Sequence, residues 1–461
     1  MKPSVFIVIT ICLSAILLFQ AFQCASSEFT GAKLQIQQKN YAEAERLLEA
    51  DVEKNPGNGE GWFWLGNVRG EQGDYIGMNE AYNKSLELSQ VHAEEIKSNK
   101  YNKWAEHLNT GARFLESAVP ESSMYFDKAI EEFTKAANAW PDTSLTYRYI
   151  GYTYNNASRY DEAIDAFTAA WEKGRDAESL KRAARLLIVQ GDTHKAKFEA
   201  DNADVLKTLK SVSGVRKNQL KSDVIAALGA PDKINRGPRG SKREELVYNR
   251  FNLSVSIDNN KVTGRKFSKP YVPKIDSASY TMAIKKYDRA SELLQQSKSV
   301  VSNDVETLNL LLNAYVQSNR IQEATAEYEV AVQSDPDNKQ SQYILGILYR
   351  SSGDYAKAAE HFTRAYELDP GFTDALFDLG ATYYNWGVDI MKAADEKGTP
   401  TNEHKDKFQK ALPYIEKVVE QKPDDFMVWE TLGTIYAQLG MQEKAIAAFD
   451  NADKLRAAQA N

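Results

Sequence analysis

The side chains able to do chemistry are few, and their spacing decides what they can do. The two cysteines, Cys12 and Cys24, both lie in the first two dozen residues. A Cys-X-X-Cys redox motif, a zinc knuckle and a disulfide framework are therefore all excluded. Five histidines, His92, His107, His194, His361 and His404, are scattered with no pair at ligand spacing. Neighbouring carboxylates such as Glu131-Glu132 and Asp161-Glu162 fall on outward helix faces, where solvation is their ordinary state. No phosphate-binding Gly-rich loop, HExxH or GxSxG context occurs. We therefore expect no catalytic residue, no metal site and no cofactor. The remaining chemistry is recognition, by aromatic rings, amides and one block of positive charge.

The first segment places Lys2 before an uncharged, mostly apolar run from Val5 to Phe19, then Gln20-Ala21-Phe22-Gln23-Cys24. A positive start, an apolar stretch and a short polar tail form an export signal, expected over residues 1–23. The run is short for a spanning helix, although an uncleaved anchor stays open. A lone thiol directly after it resembles the lipid-modified cysteine of bacterial lipoproteins, with Ala21 and Gln23 where that pattern usually has Leu and a small residue. The resemblance implies lipidation at Cys24 and an exported, membrane-anchored place in a bacterial cell envelope. Cleavage near Ser26 or Ser27 is the alternative.

Beyond Cys24 the chain repeats itself every 34 residues. Pro336 steps to Pro370, Ala324 to Ala358, Tyr328 to Phe362, Leu311 to Leu345 and Tyr315 to Tyr349. Small residues at Gly346 and Ala358 let two helices approach, and Tyr349, Tyr355 and Phe362 fill the space between them. Gly353-Asp354 supplies the turn and Pro370 the stop. Further copies show Trp62, Gly66 and Tyr82; Tyr147, Gly151 and Phe167; and Trp429, Gly433 and Phe449. The pattern resembles the tetratricopeptide repeat (TPR). It predicts a mostly α solenoid of about nine helical hairpins in two blocks, residues 24–204 and 276–461. The spacing from Gly111 to Ala129 is stretched by six residues, and that from Gly380 to Ala411 by nineteen. Around Met391 to Lys407 the stretch predicts lengthened helices joined by an exposed turn. Tyr287, Ala290 and Leu294 read as a lone second helix.

Residues 205–275 have different chemistry. They hold 16 Lys and Arg against 5 Asp and Glu, a charge of +11, in a chain whose total is −7. A helix from Lys221 to Leu228 closes at Gly229-Ala230-Pro231-Asp232. A loop from Arg236 to Arg243 follows, then alternating segments ending in a hairpin at Asp258-Asn259-Asn260. This segment resembles the SmpA/OmlA (BamE-like) domain of small outer-membrane lipoproteins, which assist assembly of outer-membrane barrels. The basic surface is expected at Arg236, Arg239, Lys242, Arg243, Arg265 and Lys266. An intramolecular dock, an anionic membrane or cell-wall polymer, and a merely solvated face all stay open. The export signal and the acidic total exclude a nucleic-acid partner.

The TPR resemblance implies that the first helix of each repeat lines a groove for a protein or peptide. On this frame the groove positions are Phe63, Asn67, Arg148, Tyr152, Asn155, Asn309, Asn313, Tyr343, Arg350, Phe377, Tyr384 and Asn385. Some of these rings are expected only to pack against neighbouring helices. The function expected is a non-catalytic, membrane-tethered scaffold or adaptor of the cell envelope. The alternative is a structural lipoprotein associated with cell wall or polysaccharide.

Overall fold

The computed structural model describes residues 26–119, 123–302, 304–397, 399 and 401–459. Cys24 and the segment 1–23 lie outside them. The fold divides into two compact units, one ending at Ala183 and the other beginning at Ala184.

The first unit is built from helical hairpins: α1 (Ser27–Gln37) with α2 (Tyr41–Lys54), α3 (Gly59–Gln72) with α4 (Tyr75–Leu88), α5 (Ala93–Glu116) with α6 (Ser123–Ala139), and α7 (Ser144–Asn156) with α8 (Tyr160–Gly174). α9 (Ala177–Asp201) runs across the boundary. Within the second unit lie α10 (Ala203–Ser213), α11 (Lys221–Leu228), β1 (Lys233–Arg236), β2 (Arg243–Tyr248), β3 (Leu253–Asp258) and β4 (Lys261–Phe267). Helices then resume: α12 (Ala278–Val300), α13 (Val305–Gln317), α14 (Ile321–Ser334), α15 (Lys339–Ser351), α16 (Tyr355–Leu368), α17 (Thr373–Lys397), α18 (Glu403–Gln421), α19 (Phe426–Gln438) and α20 (Gln442–Gln459).

One contact recurs through the hairpins. A glycine on the first helix lies against a ring on the second: Gly66 with Tyr82, Gly111 with Phe133, Gly151 with Phe167, Gly346 with Phe362 and Gly433 with Phe449. A Cβ at any of these glycines would sit 2.4–2.8 Å from a ring carbon, closer than side chains pack. The absent side chain is thus what lets the ring bury itself between the helices. In α17/α18 the aliphatic Ile415 takes the ring's place against Gly380.

The turns follow from local chemistry. Gly73, Gly353 and Gly440 adopt left-handed conformations with φ of 83°, 84° and 76°, which cost glycine least. Asp74 and Asp354 then cap the second helices by accepting the backbone N–H of Gly77 and Lys357. Before the first helix, a proline carbonyl accepts a side-chain N–H from six residues downstream in three repeats. The donors are Trp62 to Pro56 at 3.0 Å, Gln342 to Pro336 at 2.8 Å and Trp429 to Pro423 at 2.8 Å.

The lone second helix of the sequence reading has a partner. α12 packs on α9, where Gly191 meets the Tyr287 ring and the Tyr287 hydroxyl donates to Asp192 at 2.7 Å. One hairpin is therefore split, and the α+β module is spliced between its two helices. With that pairing the described residues hold nine hairpins. The module is a four-stranded antiparallel sheet in the order β1-β2-β3-β4. The sequence pattern missed β1, whose four residues are mostly exposed and carry little alternation. Val224, Leu228, Leu246, Tyr248, Val255, Ile257 and Val262 form a core of the module's own. The stretched repeat is likewise made of long helices: α17 continues to Lys397 and α18 starts at Glu403.

Candidate functional site

In the first unit α1, α3 and α5, with Tyr41 of α2 and Met78 and Tyr82 of α4, surround a cavity of about 480 Å³. Ile36, Tyr41, Trp64, Val68 and Met78 supply apolar wall; Asn67, Asn99, Asn102, Glu71, Lys103 and Glu106 supply polar groups. Asn67 is the hub. Its Oδ1 accepts from the Tyr82 hydroxyl at 2.6 Å and from Asn99 Nδ2 at 2.8 Å. Burial pushes the Tyr82 phenol up to about 12, so it stays a neutral donor. Burial works against the Lys103 charge, but the pair with Glu71 at 3.0 Å, joined by Tyr75 and Glu106, holds the ammonium above its ordinary value. Such a wall can hydrogen-bond a peptide main chain through amides while the half-buried Trp64 covers an apolar side chain.

Phe63, expected on this face, is buried instead. It stacks on His92 with centroids 4.0 Å apart and packs near Tyr82. Phe63 lies three residues before Gly66, on the same helix face, and that face packs against Tyr82 of α4. Trp64, Asn99 and Asn102 were absent from the sequence frame. Asn99 and Asn102 lie in the first turns of α5, before the repeat signature begins, so the 34-residue frame cannot index them. Arg148 pairs with Asp176 at 3.3 Å. Tyr152 is half-buried against Phe167 at 5.5 Å, with Arg182 4.9 Å above its ring. Asn155 is half-buried on α7.

In the second unit the first-helix face is a row of polar contacts from helix to helix. Arg185 pairs with Glu306. Lys195 Nζ meets Gln317 Oε1 at 2.9 Å, and Gln340 Nε2 donates to Asn309 Oδ1 at 3.0 Å. Tyr343 and Arg350 converge on Asp378 of α17, the phenol donating at 2.7 Å. Burial, reinforced by the Asp378 carboxylate, holds the Tyr343 phenol well above its ordinary value. These two groove candidates thus tie one repeat to the next, through an aspartate that the frame omits because it lies one residue past the indexed Phe377. Phe377 and Tyr384 are half-buried beside the α18–α19 core, and Tyr384 lies 5.4 Å from Phe408. Asn309 and Asn385 are exposed; Asn313 is half-buried.

A second inter-repeat link also escaped the sequence reading. The residue three after the first-helix glycine reaches a glutamate 20 residues earlier: Arg69 to Glu49 at 2.7 Å, Tyr349 to Glu329, and Tyr436 to Glu416 at 2.6 Å. A constant offset between two polar types is the signal that would have revealed it. Among the described residues the nearest approach to a catalytic relay is Tyr75, His107 and Glu132. The phenol meets His107 Nε2 at 2.5 Å, and Nδ1 meets Glu132 at 2.7 Å. Burial works against the Glu132 charge, yet hydrogen bonds from Lys135 and His107 hold its pKa below the usual carboxylate value. The three side chains come from α4, α5 and α6, so the chain of bonds joins adjacent repeats.

All six basic candidates of the module are exposed. Arg236, Arg239, Lys242 and Arg243 gather at one end of the sheet. Arg265 and Lys266 lie toward the other, where Arg265 donates to the Ser213 carbonyl at 2.5 Å. His361 is half-buried with Nδ1 2.8 Å from Gln342 Oε1. Among the described residues no cluster of three or more metal-ligating side chains occurs, and no helix is long and apolar enough to cross a membrane.

The helical hairpins of each unit define an α-solenoid scaffold suited to protein or peptide partners. The family profile of the tetratricopeptide repeat matches residues 29–75, 126–178, 309–371 and 405–460. The chain is built on tetratricopeptide repeats over those stretches. It is 20% identical over 427 residues to a TPR repeat-containing protein of Methanocaldococcus jannaschii, covering 92% of this chain and 68% of that protein. It is 24% identical to Superkiller protein 3 of Schizosaccharomyces pombe over 30% of this chain and 11% of that one. Photosystem I assembly protein Ycf3 of Rippkaea orientalis is 28% identical over 23% of this chain and 60% of its own. The chain thus spans only a small part of the fission-yeast relative and under two thirds of the Ycf3 protein. Among solved structures, MamA is 23% identical over 41% of this chain and 99% of its own, with a TM-score of 0.30.

Proposed function

We propose that this chain is an exported, membrane-tethered adaptor that holds an extended segment of a cell-envelope protein against its first-helix faces and performs no chemistry on it. The observation that carries the reading is the hollow of about 480 Å³ in the first unit, where Asn67, Asn99 and Asn102 lie beside Trp64. Amides in a row suit the alternating N–H and C=O groups of an extended backbone, and the apolar wall suits one of its side chains. The second unit adds Asn309 on α13, and Phe377, Tyr384 and Asn385 on α17. Tethering rests on the apolar run before Cys24; one acyl chain on that thiol would hold only marginally, and the several chains that the lipoprotein resemblance implies would anchor it firmly.

Two double variants test the faces: Asn99→Ala with Asn102→Ala, and Phe377→Ala with Tyr384→Ala. Each should lower partner capture from native envelope extract about tenfold or more, with helical circular dichroism unchanged. Undiminished capture by both variants overturns the groove reading. Mass spectrometry of the mature N-terminus tests the tether. An acylated Cys24 is expected, and an unmodified chain starting after Ser26 overturns it.

A further inference from the structure

We infer that the far tip of the α+β module is a binding site for clustered phosphate groups, separate from the peptide faces. The chain enters and leaves the module at one end. There Asn202 donates to the Asp276 carbonyl and accepts from the Asp276 N–H, both at 2.9 Å, closing a 74-residue excursion. The sheet register sets Phe267 beside Leu253 on the exit side, and Arg243 opposite Asp258 at the other end. The β1–β2 loop and the β3–β4 turn therefore lie together at the end away from the exit.

That end concentrates cations over an open hollow of about 450 Å³ whose lining includes Lys221, Arg236, Lys242 and Arg243 together with the one carboxylate of Glu244. Arg239 projects from the same loop and is exposed. The carboxylates nearby are few and partly committed. Glu244 is bonded to Lys221 and stands 3.9 Å from Arg236, while Asp258 is 3.4 Å from Arg243. Arg236 and Arg243 keep 81% and 77% of their side-chain surface exposed, so their guanidinium forks are available to a ligand. The loop carrying them is shaped in advance. Gly237 N–H donates to the Arg243 carbonyl at 2.9 Å, Ser241 N–H to the Pro238 carbonyl at 2.8 Å, and Gly240 takes a φ of 90°.

Forked guanidinium groups without an apolar anchor suit phosphate oxygens. An acidic protein partner would call for a buried aromatic or aliphatic hot spot, and the residues from Arg236 to Arg243 include neither. Bases of single-stranded nucleic acid would call for stacking rings, which the same residues lack.

The test uses the full chain, with two probes: soluble inorganic polyphosphate, and vesicles of neutral phosphatidylcholine with or without 30% phosphatidylglycerol. Binding to either phosphate source is expected to weaken with rising salt. Arg239→Ser with Lys242→Ser should weaken it about fivefold per cation removed, while Lys269→Ser with Lys274→Ser should leave it unchanged. Binding of polyphosphate alone assigns the site to a soluble polymer; dependence on phosphatidylglycerol assigns it to headgroups. The proposal is overturned if neither probe binds, if both double variants lose equally, or if poly-glutamate competes as well as polyphosphate.

Discussion

The hairpin α15/α16 and the split hairpin α9/α12 make the same contact over very different stretches of chain. Gly346 and Phe362 are 16 residues apart; Gly191 and Tyr287 are 96 apart, with a folded module between them. Loop-closure entropy grows so slowly that this difference costs only about 1.5 kcal/mol. The module's own core, around Val224, Tyr248 and Val255, holds the intervening chain in one form. The complementarity of a bare glycine and a ring specifies the pairing, and nearness in sequence is dispensable. A repeat array can therefore carry a second module without losing a repeat.

The equivalence breaks if one glycine matters and the other does not. Gly346→Val and Gly191→Val each drive a side chain to within 2.6–2.8 Å of ring carbons on the opposite helix. Each should destabilise the second unit by about 1–3 kcal/mol or more, read as a lower denaturation midpoint. A tolerated Gly191→Val beside a damaging Gly346→Val would show that α9 and α12 do not form a true repeat.

The comparison also shows what a sequence can reveal. Gly346, Ala358 and Phe362 recur at fixed offsets, so the ordinary hairpins stand out from periodicity alone. Gly191 and Tyr287 carry the same chemistry, but an offset of 96 residues lies outside any fixed period. The pair becomes visible only when the chain has closed on itself. The same limit applies to the first-helix faces. The frame indexes Asn67, and it does not index Asn99 and Asn102, which line the same hollow from the extra first turns of α5. It counts Phe63 as accessible, although the ring is buried against His92. Position within a repeat gives the helix face only to within about one residue, roughly 100° of rotation, and that is the difference between groove and core.

A smaller effect is expected at the neck. Asn202 is 4% exposed and its amide makes three hydrogen bonds, to the Phe198 carbonyl and to both backbone groups of Asp276. Asn202→Ala leaves these without their side-chain partner at a cost of about 1–2 kcal/mol, moderated because Asp276 itself reaches water. Hydrogen exchange should rise at residues 276–278 while the sheet core stays protected. Faster exchange across β2 and β3 as well would mean that the module depends on its mounting.

The smallest effect separates ring shape from the hydrogen bond. Phe362 has no hydroxyl, whereas the Tyr287 hydroxyl donates to Asp192. Tyr287→Phe keeps the ring against Gly191 and should cost no more than about 1 kcal/mol. Burial, with help from the Asp192 carboxylate, raises the Tyr287 pKa above its ordinary value of 10.0, because the folded state disfavours the phenolate. This contribution is therefore complete below pH 10 and is lost as pH climbs past it toward the raised folded value. Urea midpoints measured from pH 8 to 11 should fall more steeply for the parent chain than for Tyr287→Phe. Parallel slopes would show that the phenol titrates alike in both states, and that the split hairpin is held by ring shape alone, as α15/α16 is.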